Sequence, residues 1–369
     1  MFFFRKNKPN FAVILGTRPN FVKAAPFFRR AVNHPNFKFT GIHTGQHFDQ
    51  QMSKIFFDEL DIPQPEITLE IGGDKHTEKI GRMFDSIKDV FKQNKFDGVV
   101  VFGDVNSTLA GALAAVKRQL PLVHIEAGLR SHDRRMPEEI NRVIVDHLSD
   151  LLFASEPSAV ENLHREGVKD KKINLVGNIM IESLEIYRDK IDQSKILNEL
   201  VLKPKSYILA TIHRQENTDS PIQIKKILDL LSGLSRNVKI ILPLHPGTRK
   251  RITSYGLDEL LNPFKVIEPL GYFDFMKLVK SSLGVVTDSG GIQEETSHLG
   301  VPCATLRDNT ERPITLELGS NKLCPVEQTS SEEIFKHLNR SDFLPHNISL
   351  WDGHVSERIF KTLQTWFHR

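Results

Sequence analysis

The sequence of 369 residues contains few cysteines, no long apolar segment and little net charge. Its two cysteines, Cys303 and Cys324, are too few for a disulfide framework, and their apolar neighbours predict buried thiols. No stretch reaches the roughly 20 apolar residues of a transmembrane helix, and the apolar run at residues 1–4 is shorter than the ~7–15-residue core of a secretory signal. Lys and Arg total 49 against 46 Asp and Glu, a balance that gives no reason to expect a nucleic-acid or membrane partner. We therefore expect a cytoplasmic protein.

Several nucleotide and metal motifs are also missing. The sequence has neither the G-x-G-x-x-G fingerprint nor the G-x-x-x-x-G-K-[ST] loop, and it has no H-E-x-x-H or cysteine cluster for zinc. His43 and His47 are four residues apart, but Gly45 between them predicts a turn and no metal site. We therefore expect no cofactor, no nicotinamide dinucleotide and no metal ion.

Short apolar runs alternate with segments of helical period along the whole chain. Most runs are continuous in Val, Ile, Leu and Phe, which is typical of parallel strands covered on both faces. In the run at 37–43, Lys38 and Thr40 alternate with apolar residues, which predicts a half-exposed strand. The other predicted strands are 11–15, 98–102, 122–125, 151–154, 173–176, 207–212, 238–242, 265–269, 283–286 and 303–306. The predicted helices include 108–118, 138–148, 222–234, 272–281, 291–299 and 355–367.

This alternation predicts an α/β fold with two doubly wound Rossmann-like domains facing a central cleft. We assign residues 1–180 to an N-terminal domain with the candidate acids, 181–205 to a hinge region and 206–369 to a C-terminal domain. The last helix, 355–367, is left open to pack back on the N-terminal domain. Ligands of such folds bind at the carboxyl ends of the strands, so the loops there are the candidate sites.

Two of these loops suit an anion. Residues 16–20 follow the first strand, and Arg18 and Lys23 place cations near a helix start; the structural alternative is a capped turn with a solvated Arg18. Residues 287–291 follow a later strand, and Ser289 with two glycines leaves backbone N–H groups for a phosphate. Glu294 and Glu295 either stabilise the first turn of that helix or accept hydrogen bonds from a ribose.

Acids and histidines follow other strands. Asp104 and Glu126 end two apolar runs, and Glu138 follows a Met-Pro pair. Asp104 has an alternative role as a helix N-cap and Glu138 as a first-turn acid, whereas Glu126, in an otherwise apolar strand, needs a partner if buried. His213 and His245 follow two strands of the second domain, where they are candidates for phosphate binding or proton transfer.

Taken together, these motifs resemble the non-hydrolysing UDP-N-acetylglucosamine 2-epimerases of bacteria and archaea. The matching segments follow the family's order: GTRPN (16–20), TGQH (44–47), GDVNSTLAGALAA (103–115), HIEAGLRS (124–131), MPEEINR (136–142), GN (177–178), HRQEN (213–217), HPGTRK (245–250), TDSGGIQEE (287–295) and RDNTERP (307–313). The resemblance implies a fold like that of the GT-B glycosyltransferases, a cytoplasmic homodimer and a UDP-sugar as substrate. It also implies a reaction in which the C2 proton is removed, UDP leaves to give 2-acetamidoglucal, and UDP returns after protonation of the opposite face.

The resemblance carries roles to individual positions. The family's catalytic residues correspond to Asp104, Glu126, Glu138 and His213. Its diphosphate contacts correspond to Arg18, His245, Ser289, Gly290 and Gly291. The ribose contact corresponds to Glu295, the aromatic beside uracil to Phe275, and further cations of the site to Lys23 and Arg142. From its helical spacing alone, Phe275 is equally consistent with a core position.

The sequence departs from the family pattern at two places. Asn20 stands where many members have Glu, and Asp49 replaces a glutamine that helps some bacterial members to hold a second, regulatory UDP-sugar. We therefore do not predict activation by substrate.

The leading hypothesis is reversible C2 epimerisation of UDP-N-acetylglucosamine. The alternatives are a 2-epimerase of a modified UDP-sugar such as UDP-2,3-diacetamido-glucuronic acid, a hydrolysing epimerase, and a retaining glycosyltransferase. The non-enzymatic alternative is a UDP-sugar sensor, which would not need the acids and the histidine together.

Overall fold

The computed structural model describes residues 8–45, 56–69, 71, 76–340 and 348–367. The chain forms two compact units: unit 1 comprises Met1–Ile186 and Ser349–Arg369, and unit 2 comprises Tyr187–Ile348. Residues 187–205, which lie in the predicted hinge region, belong to unit 2. His47 and Asp49 lie outside the described residues.

Unit 1 contains a parallel sheet in the order β3-β2-β1-β4-β5-β6-β7. Its strands are β1 (Asn10–Leu15), β2 (Lys38–His43), β3 (Ile67–Thr68), β4 (Gly98–Phe102), β5 (Leu122–Ala127), β6 (Leu151–Ala154) and β7 (Ile173–Leu175). Its helices before residue 187 include α1 (Arg18–Ala31), α2 (His76–Gln93), α3 (Asn106–Lys117), α4 (Pro137–Leu148), α5 (Pro157–Arg165) and α6 (Ile179–Ile186). Strand and helix alternate, as the periodicity predicts.

The central strands of unit 1 are buried because both faces of the sheet are covered. Ala12 and Ile14 belong to one core cluster with Met83 of α2. Phe11 and Phe39 lie in a separate aromatic group. The continuous apolar runs in β1 and β4 therefore pack on both faces of the sheet, because successive side chains of a strand point to opposite faces.

The prediction of a half-exposed second strand is wrong. In β2 only Lys38 is exposed, and Thr40 is buried. The Thr40 hydroxyl donates to Asn10 Oδ1 at 3.0 Å, so the buried hydroxyl has its hydrogen bond within the sheet.

Unit 2 contains a second parallel sheet in the order β10-β9-β8-β11-β12-β13. Its strands are β8 (Tyr207–Thr211), β9 (Lys239–Pro243), β10 (Lys265–Ile267), β11 (Gly284–Thr287), β12 (Cys303–Thr305) and β13 (Asn321–Leu323). Its helices are α7 (Arg188–Gln193), α8 (Ile196–Glu199), α9 (Gln215–Thr218), α10 (Pro221–Ser235), α11 (Pro246–Ser254), α12 (Tyr272–Ser281), α13 (Gly290–Leu299), α14 (Ile314–Glu317) and α15 (Ser331–Leu338).

The C-terminal helix α16 (Val355–Phe367) packs on unit 1, against α1 and α6. Its Phe360 ring lies 4.9 Å from that of Phe27 in α1. At its first turn, the backbone N–H and the hydroxyl of Ser356 donate to the buried Glu182 carboxylate of α6, at 2.5 and 2.6 Å. Apolar and polar contacts therefore both join the end of the chain to its first half.

The predicted buried thiols are confirmed, since Cys303 and Cys324 are free and buried. Burial raises the pKa of Cys303 to about 12, so its thiol stays protonated. None of the helices in the described part of the chain combines the length and the apolar composition of a membrane-spanning segment.

Candidate active site

Each sheet has a switch point, where the strand order reverses: between β1 and β4 in unit 1, and between β8 and β11 in unit 2. The loops on either side of a switch point diverge and leave a crevice at the carboxyl edge, where ligands of this fold bind. The predicted site residues divide between the two units. Unit 1 carries Arg18, Lys23, Asp104, Glu126, Glu138 and Arg142, and unit 2 carries His213, His245, Phe275, Ser289, Gly290, Gly291 and Glu295.

Glu126 occupies an unusual place at the end of β5. The pairing of β5 with β6 shifts register between Ile125 and Ala127, and Glu126 has a left-handed φ of 70°. A non-glycine residue in that conformation costs on the order of 1–3 kcal/mol and persists only where its surroundings hold it. The side chain is buried, as its sequence context led us to expect, and it pairs with Lys23 of α1.

Gly103 completes this cluster. It has a φ of 59°, and a Cβ there would lie 2.8 Å from Glu126 Oε2 and 2.9 Å from Lys23 Nζ. A larger residue would strain this backbone angle, and its Cβ would displace these two charged groups. The loop after β4 therefore approaches the Glu126–Lys23 pair as closely as backbone atoms allow.

Asp104 does not cap helix α3, since the N-cap position is Val105 and no side chain caps it. The Asp104 carboxylate instead pairs with Arg142 of α4, at 2.5 Å between Oδ2 and Nη2. Arg142 also pairs with Glu139, so it joins two carboxylates. The alternative of Asp104 as an N-cap is therefore wrong.

Glu139 is a buried acid whose role the sequence did not reveal. Its carboxylate accepts hydrogen bonds from the backbone N–H and hydroxyl of Ser131, both at 2.9 Å. Burial alone would raise the pKa of Glu139, but these hydrogen bonds and the Arg142 guanidinium lower it. Glu139 therefore remains ionised and orders the loop after β5, whereas its neighbour Glu138 lies half-buried in the first turn of α4.

The start of α1 lies at the same edge. The Arg18 guanidinium lies over the Phe56 ring, 4.5 Å from its centroid. Asn20, where the family often has Glu, donates from Nδ2 to Phe102 O at 3.0 Å and accepts from Thr17 N at 3.3 Å. A carboxylate could not make the first of these bonds, because it has no hydrogen to donate. Asn20 thus joins α1 to the end of β4.

In unit 2, His213 and Asp288 form a pair across the switch point. His213 Nδ1 lies 2.9 Å from Asp288 Oδ1; the histidine side chain is 50% exposed and the aspartate side chain 0%. Asp288 also accepts from the backbone N–H groups of His213 and Arg214 and from Asn217 Nδ2, each at 3.0 Å. Burial alone would raise the pKa of Asp288, but His213 and these donors hold it far below its usual range.

This pair gives His213 a defined tautomer. The ionised Asp288 accepts the Nδ1 hydrogen, which leaves Nε2 as the other ring nitrogen, an arrangement that also orients histidine bases in enzymes. Asp288 was not among our predicted site residues. The signal was present in the sequence, because an acid directly after a strand in Thr-Asp-Ser-Gly-Gly needs a partner if buried.

The loop at residues 287–291 connects a strand to the start of a helix, as predicted. Ser289 is the N-cap of α13, and the helix begins at Gly290. A Cβ at Gly290 would lie 2.5 Å from Arg312 Nη1, so glycine allows this guanidinium to approach the helix start. Arg312 pairs with Glu294 at 2.9 Å, and Arg307 pairs with Glu311 at 2.9 Å. The side chains of both pairs are buried.

The remaining predicted residues of unit 2 lie at or near its carboxyl edge. His245 is the N-cap of α11, and its Nδ1 accepts from Gly247 N at 3.1 Å. Since Nδ1 accepts, Nε2 of the neutral ring carries the hydrogen and can donate to an anion. The Tyr272 hydroxyl donates to Glu295 at 3.2 Å, and Phe275 is half-buried on α12.

Two doubly wound sheets with charged side chains at the carboxyl ends of their strands are typical of α/β proteins that bind their ligands there. The family model described as UDP-N-acetylglucosamine 2-epimerase matches residues 29–364. A UDP-N-acetylglucosamine 2-epimerase of Methanococcus maripaludis is 44% identical over 320 residues, 84% of this chain and 86% of that protein. A UDP-2,3-diacetamido-2,3-dideoxy-D-glucuronate 2-epimerase of Pseudomonas aeruginosa is 43% identical over 313 residues, 84% of this chain and 86% of that protein.

A solved structure shows the same likeness. The crystal structure of Methanocaldococcus jannaschii UDP-GlcNAc 2-epimerase in complex with UDP-GlcNAc and UDP has a TM-score of 0.90 and 39% sequence identity, and covers 96% of this chain and 99% of that chain. The chain belongs to the UDP-N-acetylglucosamine 2-epimerase family, whose members are isomerases. The predicted family and the α/β class with two doubly wound sheets are thereby confirmed.

Proposed function

We propose that the chain catalyses the reversible epimerisation of UDP-N-acetylglucosamine at C2, giving UDP-N-acetylmannosamine. Inversion at C2 requires one group to remove a proton and another to return a proton to the opposite face. The observation that carries the proposal is the placement of Asp104 and Glu126 at the ends of adjacent strands, each paired with a buried cation. Neither acid caps a helix, so neither is explained by local structure alone.

In the proposed elimination, the C2–H and C1–O bonds break, the C1=C2 bond of 2-acetamidoglucal forms, and the electron pair of the C1–O bond leaves with UDP. In the reverse addition, the C1–O bond forms again and C2 takes a proton on its other face. Asp104, Glu126 and the half-buried Glu138 are the candidates for these proton transfers. Lys23 and Arg142 offset the negative charge that carboxylates and substrate bring together.

Unit 2 supplies donors for the leaving diphosphate. We propose that His245 Nε2 and the backbone N–H groups at Gly290 and Gly291 bind it, helped by the partial positive charge at the start of α13. Arg18 adds a cation from unit 1. We also propose that His213, paired with Asp288, donates a proton to the departing oxygen and takes it back on re-addition.

The contacts of the nucleoside follow the same reasoning. We propose that Glu295 accepts hydrogen bonds from the ribose, because its carboxylate is already positioned by Tyr272. Phe275 offers a half-buried aromatic ring for the uracil. The homodimer, the cytoplasmic location and the cleft between the two domains remain predictions from the resemblance.

A second candidate substrate is UDP-2,3-diacetamido-2,3-dideoxy-D-glucuronate, because the Pseudomonas aeruginosa enzyme named for it is 43% identical to this chain. The two reactions share the chemistry at C2 and differ in the groups at C3 and C6.

The test is incubation with UDP-N-acetylglucosamine in deuterated water, followed by proton NMR. The proposal predicts loss of the C2 proton signal and growth of UDP-N-acetylmannosamine signals. Free N-acetylmannosamine with UDP as main products would identify a hydrolysing enzyme instead. Absence of exchange, together with exchange of the diacetamido-uronate, would move the assignment to the second candidate.

A further inference from the structure

His124 and Asp146 form a fully buried pair directly behind the candidate acids of unit 1. His124 lies on β5, two residues before Glu126, and Asp146 lies on α4. His124 Nε2 is 2.8 Å from the carbonyl oxygen of Gly103, and Nδ1 is 2.7 Å from Asp146 Oδ1. The roles proposed above do not use this pair.

The partners determine where the hydrogens are. A carbonyl oxygen only accepts, so Nε2 carries a hydrogen. Asp146 Oδ2 accepts from Gly128 N at 3.0 Å and pairs with Arg130 Nη1 at 2.7 Å, which indicates an ionised carboxylate. An ionised Asp146 also only accepts, so Nδ1 carries a hydrogen as well. His124 is then an imidazolium with both hydrogens in use.

Direct contacts connect this pair to backbone groups close in sequence to both candidate acids. The Gly103 carbonyl belongs to the residue before Asp104, and Gly103 has the left-handed φ of 59° that the loop requires. Gly128, which donates to Asp146, lies two residues after Glu126 and has a φ of 85°. The pair therefore fixes the Gly103 carbonyl and the Gly128 N–H, which belong to the two irregular turns that carry Asp104 and Glu126.

We propose that His124 is a positioning residue that donates a hydrogen bond from each ring nitrogen and so joins the loop carrying Asp104 to the irregular turn at Glu126 through Asp146. The effect of His124 on catalysis rests on the proposed function, because His124 acts by fixing the positions of Asp104 and Glu126. Loss of the imidazolium frees the Gly103 carbonyl and leaves Asp146 without one of its two positively charged partners. The acids then lose their mutual placement while the anion loops of unit 2 keep theirs.

The first test compares two phenylalanine variants of the full chain. His124→Phe removes both hydrogen bonds at the carboxyl edge of unit 1. His337→Phe is the matched control, because His337 is also a buried histidine that donates to a strand carbonyl, Cys303 O at 3.0 Å, but at the first residue of its strand. A misplacement of about 1 Å costs roughly 100-fold in rate, so kcat of His124→Phe should fall by about that factor. KM and the Kd for UDP should change by less than about threefold, since the substitution leaves the proposed UDP contacts of unit 2 in place.

The second test begins with a measurement on the wild-type protein that needs neither turnover nor a variant. Histidine labelled with nitrogen-15 should show both ring nitrogens of His124 protonated in the wild-type protein. In Asp146→Asn the Nδ1 signal should move to the unprotonated range while Nε2 keeps its hydrogen to Gly103. The kcat of Asp146→Asn should lie between those of the wild type and His124→Phe, because the bond to Gly103 survives.

Three results would overturn the inference: an unprotonated ring nitrogen on His124 in the wild type, a kcat of His124→Phe within about twofold of the wild type, or an equal loss of kcat in His337→Phe at equal loss of Tm. If the wild type itself exchanges neither UDP-sugar, the proposed function fails. The protonation state of His124 is then still decided by the nitrogen-15 spectrum.

Discussion

Asp288→Asn tests the pairing that gives His213 its proposed role. The substitution keeps the size of the side chain but removes the negative charge facing Nδ1. Four donors converge on this carboxylate: His213 Nδ1 and N, Arg214 N, and Asn217 Nδ2. The amide retains acceptor capacity for part of this set, but it no longer stabilises an imidazolium.

The magnitude follows from the lost charge-assisted hydrogen bond. Such a bond to an ionised group is worth about 1.5–3 kcal/mol, and a tenfold change in rate corresponds to about 1.36 kcal/mol. If His213 carries a positive charge in the rate-limiting step, kcat should fall by about 10- to 150-fold. UDP binding should be retained, because the proposed diphosphate donors at His245 and Gly290 are intact.

The assay is the initial rate of C2 deuterium exchange, with UDP affinity measured by calorimetry. Asp192→Asn is the control, because Asp192 lies in the same unit and pairs with Lys280 at 2.6 Å on the surface. A kcat for Asp288→Asn equal to that of the control would refute the orienting role of Asp288. A loss confined to UDP affinity would show that Asp288 acts on the anion loop and leaves His213 unaffected.

Three further predictions concern unit 1. Gly103→Ala should lower the unfolding free energy by about 1–3 kcal/mol and should also lower kcat, because the new Cβ meets Glu126 and Lys23. The control is Gly81→Ala in α2, where the new Cβ meets nothing within 4 Å. This control should raise the unfolding free energy by up to about 1 kcal/mol. Equal unfolding midpoints for the two would contradict the steric argument. Glu126→Gln should keep UDP binding and lose exchange at C2, and full exchange activity would remove Glu126 from the catalytic set. Burial raises the pKa of Glu182, despite the hydrogen bonds that its carboxylate accepts from the start of α16. Its contribution to the unfolding free energy is therefore full below the unfolded-state pKa of about 4.3 and declines as pH rises through the higher folded-state pKa. Glu182→Gln should abolish that part of the decline in urea titrations at different pH values, and an unchanged pH profile would contradict the assignment.

Much of the fold follows from local patterns. The helices at 272–281 and 355–367 have the predicted bounds, because apolar spacing and end residues such as Gly271 and Ser282 act within a few residues. The continuous apolar strands around β1 and β4 likewise identify a parallel sheet without any knowledge of its partners. The positions of the loops that carry the candidate site residues follow directly from this pattern.

The incorrect predictions share a different cause. Thr40 looked exposed, but it is buried and bonded to Asn10, which lies 30 residues away. The alternative of Asp104 as an N-cap also fails, because its carboxylate pairs with Arg142, 38 positions further along. In each case the deciding contact is distant in sequence, and periodicity carries no information about it.

The sequence by itself determined the class of fold, the loops that carry the site and the family, because these depend on short-range spacing and on motif order. Only the tertiary structure decided how the charged residues are paired: Glu126 with Lys23, His213 with Asp288, and His124 with Asp146. A buried charge requires a partner, but the sequence does not show which oppositely charged side chain becomes its neighbour in the folded protein. Chain folding brings those partners together, and with them the protonation states on which the proposed chemistry depends.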